Sequence, residues 1–365
     1  MSNKAHNRVG VTADAGPLTS PGGRPLAAEY DVALLDLDGV VYAGQQAIPG
    51  APAALARARE AGLRLAFVTN NASRSPSAIA EHLSRLGVAA ASSDVVTSAQ
   101  AAATLIAEKF PAGSPVLVAG SNGLRLALRE RGMRPVSVAA DRPVAVVQGF
   151  APGITYELLA EAGVAVRDGA FYVATNSDST LPTPRGPQPG NGSLLSVIIT
   201  ATGVRPVVAG KPQTPLHAEA VARTGAERPL VVGDRLDTDI EGAVRGGADS
   251  LLVLTGVSTA QDAVLARAGQ RPTYLSADLG GLTEPQPVVG PRGSGGTHGE
   301  GAAASRGFRF GGWQAAQPGG TGPIELTGGG AWIDGLRALC AAAWAVGDVT
   351  EDIVVPPLKT LGDPR

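Results

Sequence analysis

The chain has 365 residues, 44% of them hydrophobic, with 30 basic and 32 acidic side chains and a formal net charge of −2. That length leaves room for two or three domains with sizeable cores, and the balance of charge excludes both a basic field for nucleic acid and an acidic solvating block. A single cysteine, Cys340, excludes an intramolecular disulfide and suits a reducing, cytoplasmic setting.

Residues 1–28 have neither an apolar stretch nor a cleavage-site pattern, so they are read as a disordered tail rather than a secretory signal. The run DVALLDLDGVVY follows, from Asp31 to Tyr42. Its apolar start suits a strand buried on both faces of a parallel sheet. The strand ends in two aspartates, Asp36 and Asp38, and a glycine. Burying carboxylates there is unfavourable unless a cation or hydrogen-bond donors compensate. A Gly/Pro turn at Pro49–Gly50, a helix to about Ala61, a strand Arg64–Val68 and a helix over 76–86 come next, closed by Gly87. This βαβα series predicts an α/β fold with a doubly wound parallel sheet.

Residues 98–205 carry strands of their own at Val116–Ala119, Val144–Gln148 and Phe171–Ala174, and helices near 121–132 and 155–162. The stretch Thr180–Gly192 is a Pro/Gly-dense loop. The doubly wound pattern resumes at Val207 and runs through strands at Leu230–Gly233, Leu251–Leu254 and near Tyr274. The reading is a Rossmann-like core at 29–97 and 206–282 with an α/β cap, 98–205, inserted between its halves. Residues 283–307 are rich in Gly, Pro and Ala and read as a linker. Two aromatic spots beyond it predict a small α+β domain over 308–365, of a few strands and one helix. Deletion from about Thr283 is expected to leave the strand-end motifs folded. No apolar run reaches the roughly 18–20 residues of a membrane span, and LRALCAAAWAV after Gly335 fits a packed helix.

Four short motifs fall at sheet-terminal positions: Asp36-Leu-Asp38-Gly39, Thr69-Asn70-Asn71, Gly210-Lys211-Pro212, and Gly233-Asp234 with Asp239 beyond it. Ligands of open α/β sheets bind outside the carboxyl ends of the strands, so these loops can converge. Their residue types suit phosphoryl transfer. Asp36 can attack phosphorus and form an aspartyl-phosphate. Asp38 can act as general acid and then as base. Asp36 and Asp234, with the Asp38 main-chain carbonyl, offer hard oxygens for Mg²⁺. Thr69, Asn70 and nearby N–H groups can donate to phosphate oxygens, and Lys211 adds a compact positive charge. Each motif has a plainer reading. D-x-D-G is common in turns after strands, Lys211 could be a surface lysine, and Asp239 could cap a helix over 240–246. Arg185 of the cap loop reads equally as a substrate contact or a solvated side chain. His6, His82, His217 and His298 lack partners at metal-ligand spacing and are assigned to structure or solvent, and Cys340 to an apolar core.

With all four motifs in order, the chain resembles the haloacid dehalogenase superfamily, specifically its nitrophenylphosphatase-like subfamily with a large α/β cap. D-L-D-G-V, F-V-T-N-N, G-K-P, V-G-D-R-L-D-T-D-I, A-T-N-S-D at 174–178 and P-G-N-G at 189–192 carry the resemblance over about 29–282. It implies Asp36 as nucleophile, Asp38 as acid/base, and Thr69 and Lys211 as phosphate holders. It also implies Mg²⁺ bound at Asp234 and supported by Asp239. Asn176, Asp178 and the 183–192 loop are expected to face the leaving alcohol. Gln148-Gly149-Phe150 departs from the family, which has an aspartate near this position. The appended C-terminal region is similar to that of actinobacterial glycerol-3-phosphate phosphatases, whose extra domain is like part of an acetyltransferase fold. The implied substrate is glycerol 3-phosphate. Phosphoglycolate, nucleotides and sugar phosphates are alternatives, as is a phosphomutase, and the C-terminal region could be a regulatory or partner-binding module. Dehalogenases usually lack the second aspartate, and the D-K-T-G-T of transporting ATPases is absent. Neither nucleic acid nor a membrane is an expected partner; a homo-oligomer is compatible with the sequence.

Overall fold

A computed structural model of the chain describes residues 24–181, 183, 185–285, 290–291, 307–317 and 323–346. The expected tail lies outside these residues as far as position 23. Beyond it the expectation is corrected: Leu26–Glu29 form a helical turn, and Leu26 is fully buried in the first apolar cluster of the core. A leucine with that much contact orders the chain ahead of the boundary at 29.

The core is one sheet of six parallel strands, in the order Tyr274–Ser276, Asp249–Val253, Pro229–Gly233, Val32–Leu35, Arg64–Thr69, Val95–Thr97. Central position explains the apolar run: all four residues of Val32–Leu35 are buried. Helices Ala51–Glu60 and Pro76–Arg85 connect the first strands, the second started by the Ser75 hydroxyl accepting from the Ala78 N–H. The strand Val95–Thr97 is too short for its periodicity to be read in the sequence. Thr97 then begins the helix Ser98–Lys109 through a reciprocal capping box with Gln100.

The cap has its own five-stranded parallel sheet, ordered Val207–Val208, Phe171–Ala174, Ala145–Gln148, Pro115–Ala119, Arg134–Val136. Here a second expectation is corrected. Val207–Val208 pairs with Val173–Ala174, and the Ala209 N–H donates to the Ala174 carbonyl. The chain therefore completes the cap before it returns to the core at Gly210–Lys211. Core and cap share one apolar cluster, in which Ala99, Ala102, Ala103 and Ile106 lie with Leu34 and Val68 of the core and Val116 and Val118 of the cap. Glu219 of the core helix Thr214–Thr224 adds a polar tie, accepting from Arg131 of the cap at 2.6 Å, Thr104 at 2.8 Å and Arg223 at 2.6 Å. Its side chain is 4% exposed, so the paired donors offset a real desolvation penalty.

The C-terminal module is a four-stranded antiparallel sheet, Gly290–Pro291, Phe308–Phe310, Trp313–Ala316, Glu325–Gly328, packed on the helix Trp332–Val346. Its first strand comes from within the expected linker; residues 286–289 and 292–306 of that linker lie outside the described residues. Cys340 is fully buried in the helix and Trp344 nearly so, while Trp313 and Trp332 are partly buried against the same cluster. Among the described residues no helix is long and apolar enough to cross a membrane.

Candidate active site

Three adjacent core strands, Pro229–Gly233, Val32–Leu35 and Arg64–Thr69, deliver Asp234, Asp36 and Thr69 to the same sheet edge. The Asp36 N–H donates to the Val232 carbonyl at 2.8 Å, so the first aspartate continues the ladder. Lys211 arrives from the cap side. Its backbone N–H donates to Asn70 Oδ1 at 2.8 Å, and Asn70 Nδ2 donates to its carbonyl at 3.1 Å. This reciprocal clasp sets Lys211 against the end of the Arg64–Thr69 strand.

The Lys211 ammonium is 3% exposed and lies 2.5 Å from Asp36 Oδ1, 2.7 Å from Asp239 Oδ1 and 3.2 Å from the Val68 carbonyl. It is the cation that the buried aspartates require. Asp36, Asp234 and Asp239 each bring a carboxylate oxygen within 4.8 Å of the others. Asp239 is thus drawn to Lys211 instead of capping the following helix; it sits in a π-helical turn, Leu236–Ile240, and also accepts from the Arg235 N–H at 3.2 Å. Asp234 Oδ2 accepts from the Val257 N–H at 2.6 Å, while Oδ1 is buried with no hydrogen-bond partner among the described residues. A Cβ at Gly39 or Gly256 would strike this carboxylate, which explains a glycine at each position. The donor set is hard oxygen, clustered and short of positive charge, and it fits Mg²⁺. The cluster contains no carboxylate oxygen of Asp38, whose expected ligand was its main-chain carbonyl.

Burial pushes the Asp36 carboxyl up to about 8 against the pull of the Lys211 ammonium, and Asp239 and Asp234 add to the rise. Burial, then Asp239, raises Asp234 to about 6. Lys211 is held above the usual lysine range by Asp239 and Asp36, which outweigh its desolvation. Asp38 is exposed to the cavity, and desolvation raises it against Arg74, Lys211 and His82.

A cavity of about 270 Å³ opens over this cluster, at the small end for ligand sites. Core residues Asp36, Asp38, Thr69, Asn70, Lys211 and Arg235 line it, and the cap contributes Phe150, Asn176, Asp178, Leu181 and Asn191. Asn176 donates to the Asn70 carbonyl at 2.9 Å, and Asn191 donates to the Asn176 carbonyl at 2.7 Å, so an amide chain ties the cap wall to the phosphate-side loop. Asp178 lies 3.4 Å from Asn70 Nδ2. Arg185 is exposed and is not part of the lining. It lies in a small hairpin formed by Thr180–Leu181 and Gln188–Pro189, beyond the cavity wall.

Several neighbours had no legible signal in the sequence. His217, expected in structure or solvent, is buried behind Lys211 and Asp239, and desolvation then Lys211 lower its pKa to about 4. His82 is buried too, its ring edge-on to Tyr42 at 5.0 Å. Both come from helix positions whose spacing reveals only a buried face. Gln148, at the departure noted above, is fully buried and accepts from the Tyr172 hydroxyl at 2.6 Å; two residues on, Phe150 reaches the cavity.

Comparison with known sequences matches residues 33–134 to a family described as haloacid dehalogenase-like hydrolase and residues 208–282 to a related hydrolase-like family. Residues 310–358 match a GCN5-related N-acetyltransferase like domain. The chain is 51% identical over 259 residues to the D-glycerol 3-phosphate phosphatase of Mycobacterium tuberculosis, covering 71% of this chain and 72% of that protein. It is 38% identical over 254 residues to an acid sugar phosphatase of Staphylococcus aureus, covering 69% and 96%. Among solved structures, a glycerol phosphate phosphatase of M. tuberculosis in complex with magnesium superposes with a TM-score of 0.81 at 42% identity, covering 93% of this chain and 98% of that one. A 4-nitrophenylphosphatase of Thermotoga maritima superposes with a TM-score of 0.65 at 32% identity, covering 71% and 98%.

Proposed function

We propose, from the premise that this chain belongs to the haloacid dehalogenase-like hydrolases, that it hydrolyses glycerol 3-phosphate to glycerol and phosphate in the cytoplasm. The observation that carries the choice of substrate is the extent of the match. The glycerol phosphate phosphatase structure covers 93% of this chain, C-terminal region included, whereas the nitrophenylphosphatase covers 71%. The small cavity supports a compact leaving group.

In this reading Asp36 and Asp234 would hold Mg²⁺, with Asp239 beside them. The ion, when bound, offsets the repulsion between an attacking carboxylate and a phosphate dianion. Thr69, Asn70 and Lys211 orient the phosphate. An Asp36 oxygen attacks phosphorus as the P–O bond to glycerol breaks, and protonated Asp38 delivers a proton to the departing alkoxide. The Asp38 carboxylate then takes a proton from water, the resulting hydroxide attacks phosphorus, and phosphate leaves as Asp36 is regenerated. Phe150, Leu181 and Asn176 flank the glycerol.

The test is phosphate release from glycerol 3-phosphate, phosphoglycolate, sugar phosphates and nucleotides, with Mg²⁺ and with EDTA. Glycerol 3-phosphate is expected to give the highest kcat/KM, with EDTA stopping turnover and Mg²⁺ restoring it. Preference for another ester would replace the substrate. Transfer of phosphate within a sugar, seen by product analysis, would replace hydrolysis with mutase chemistry.

A pH dependence follows from the acidic cluster. Asp36 and Asp234 are raised to about 8 and about 6 from an ordinary value of 3.8. The metal-free fold thus keeps protons that the unfolded chain sheds, and it loses stability as pH rises from about 4 towards 8. Mg²⁺ must displace those protons. Calorimetric titration in buffers of different ionisation enthalpy is expected to show proton release at pH 6 that falls away by pH 9. Equal release at both would contradict the raised values.

A further inference from the structure

The C-terminal module does not sit beside the core as a separate body. One apolar cluster runs through both, joining Phe310, Ala315, Leu336, Leu339 and Trp344 of the module to Leu252, Ala263, Val264 and Leu275 of the core. Leu236 and Ile240, which bracket the turn that carries Asp239, belong to the same cluster. Polar contacts reinforce it. Arg337, 8% exposed, donates through Nε and Nη2 to the Leu275 carbonyl of the edge strand at 3.0 and 2.7 Å. Trp344 Nε1 donates to the Ala263 carbonyl at 3.2 Å.

Ala263 lies in the short helix Ala260–Val264, which directly follows the loop around Asp234. In that loop the Val257 N–H donates to Asp234 Oδ2 at 2.6 Å and the Ser258 N–H donates to the Asp234 carbonyl at 3.0 Å. Ser258 Oγ accepts from the Leu236 N–H at 3.1 Å. We propose that the module is a buttress of the acidic site, in which Trp344 is a positioning residue that holds the 255–258 loop against Asp234 through the Ala260–Val264 helix. This rests on Asp234 being a metal ligand. It also revises the expectation that deletion from about Thr283 leaves the catalytic motifs folded, because deletion would bare the shared cluster.

The experiment is done on the full chain, comparing wild type with Trp344→Ala and Trp344→Phe; the latter keeps an aromatic ring in the apolar cluster and removes the indole donor with part of the ring volume. Mg²⁺ affinity is measured by calorimetry without substrate, and amide hydrogen exchange is followed at Val257 and Ser258 and in the cap strands. Groups bonded directly to a metal ligand typically change affinity by about 10- to 100-fold. Trp344→Phe, which acts through the Ala260–Val264 helix and the loop before it, is expected to weaken Mg²⁺ binding by less, roughly 3- to 10-fold. It should also speed exchange at Val257 and Ser258 while the strands at 145–148 and 171–174 exchange as in wild type. A lower melting temperature with Mg²⁺ affinity and loop exchange unchanged would overturn the proposal, leaving the module a structural cover. Should wild type bind no Mg²⁺, the reading of Asp234 fails, and the exchange data still decide whether the module holds the loop.

Discussion

Asp36→Asn is expected to reduce turnover of glycerol 3-phosphate by roughly 10⁴-fold or more, because no other group can form the covalent intermediate. The fold should survive. Asp36 lies at the end of a strand whose hydrogen bonds run through the backbone, and the Asn side chain is nearly isosteric. Lys211 keeps its Asp239 partner at 2.7 Å, so no buried ammonium is left unpaired. Phosphate release and a thermal melt check both halves. Activity within tenfold of wild type would mean that Asp36 is not the nucleophile.

Lys211→Met is expected to behave differently, losing both activity and stability. Its ammonium contacts Asp36, Asp239 and the Val68 carbonyl while almost fully buried. Removing one partner of a buried charge pair typically destabilises by about 3–5 kcal/mol, because the remaining charges stay desolvated. Here the carboxylates left behind include Asp36, Asp234 and Asp239, all within 4.8 Å. Turnover should fall by roughly 10²- to 10³-fold through loss of charge stabilisation at the transferred phosphate. A divalent cation can take over part of the missing charge, so Mg²⁺ should raise the melting temperature of this variant by more than it raises that of wild type. An equal or smaller Mg²⁺ effect would show that the lysine does not neutralise the cluster.

Much of the fold was legible because its signals are local. The Val32–Leu35 run reads as a central strand, and it is buried at every position between two parallel neighbours. The insertion of a cap was legible from a second set of strands between two halves of one α/β pattern. Its boundary was not, because Val207–Val208 is a two-residue strand whose membership depends on pairing with Val173–Ala174. The module's outline was legible in its aromatics and its helix, but its attachment was not. Nothing in the spacing of Arg337 and Trp344 says that their donors will meet carbonyls of Leu275 and Ala263.

The same division holds for the candidate site. Asp36, Asp38, Thr69, Lys211 and Asp234 could be picked out by residue type at strand ends, since the end of a buried parallel strand is where a polar side chain must meet a ligand or a partner. Arg185 had only its charge to recommend it, and the cavity wall does not include it. Asp239 had two readings that sequence could not separate; its side chain does not cap the following helix and lies 2.7 Å from Lys211.

By itself the sequence determined the longer buried strands, such as Val32–Leu35, and that carboxylates, a lysine and hydroxyl or amide donors stand near their ends, because strand burial and turn chemistry act over a few neighbouring residues. Only the tertiary structure decided which of them share charge. Lys211 and Asp36 are 175 positions apart in the chain and 2.5 Å apart in space, and such a contact depends on the order of the core strands and on where the chain returns from the cap. Desolvation and Coulomb interaction depend on those distances through space, with no dependence on separation along the chain.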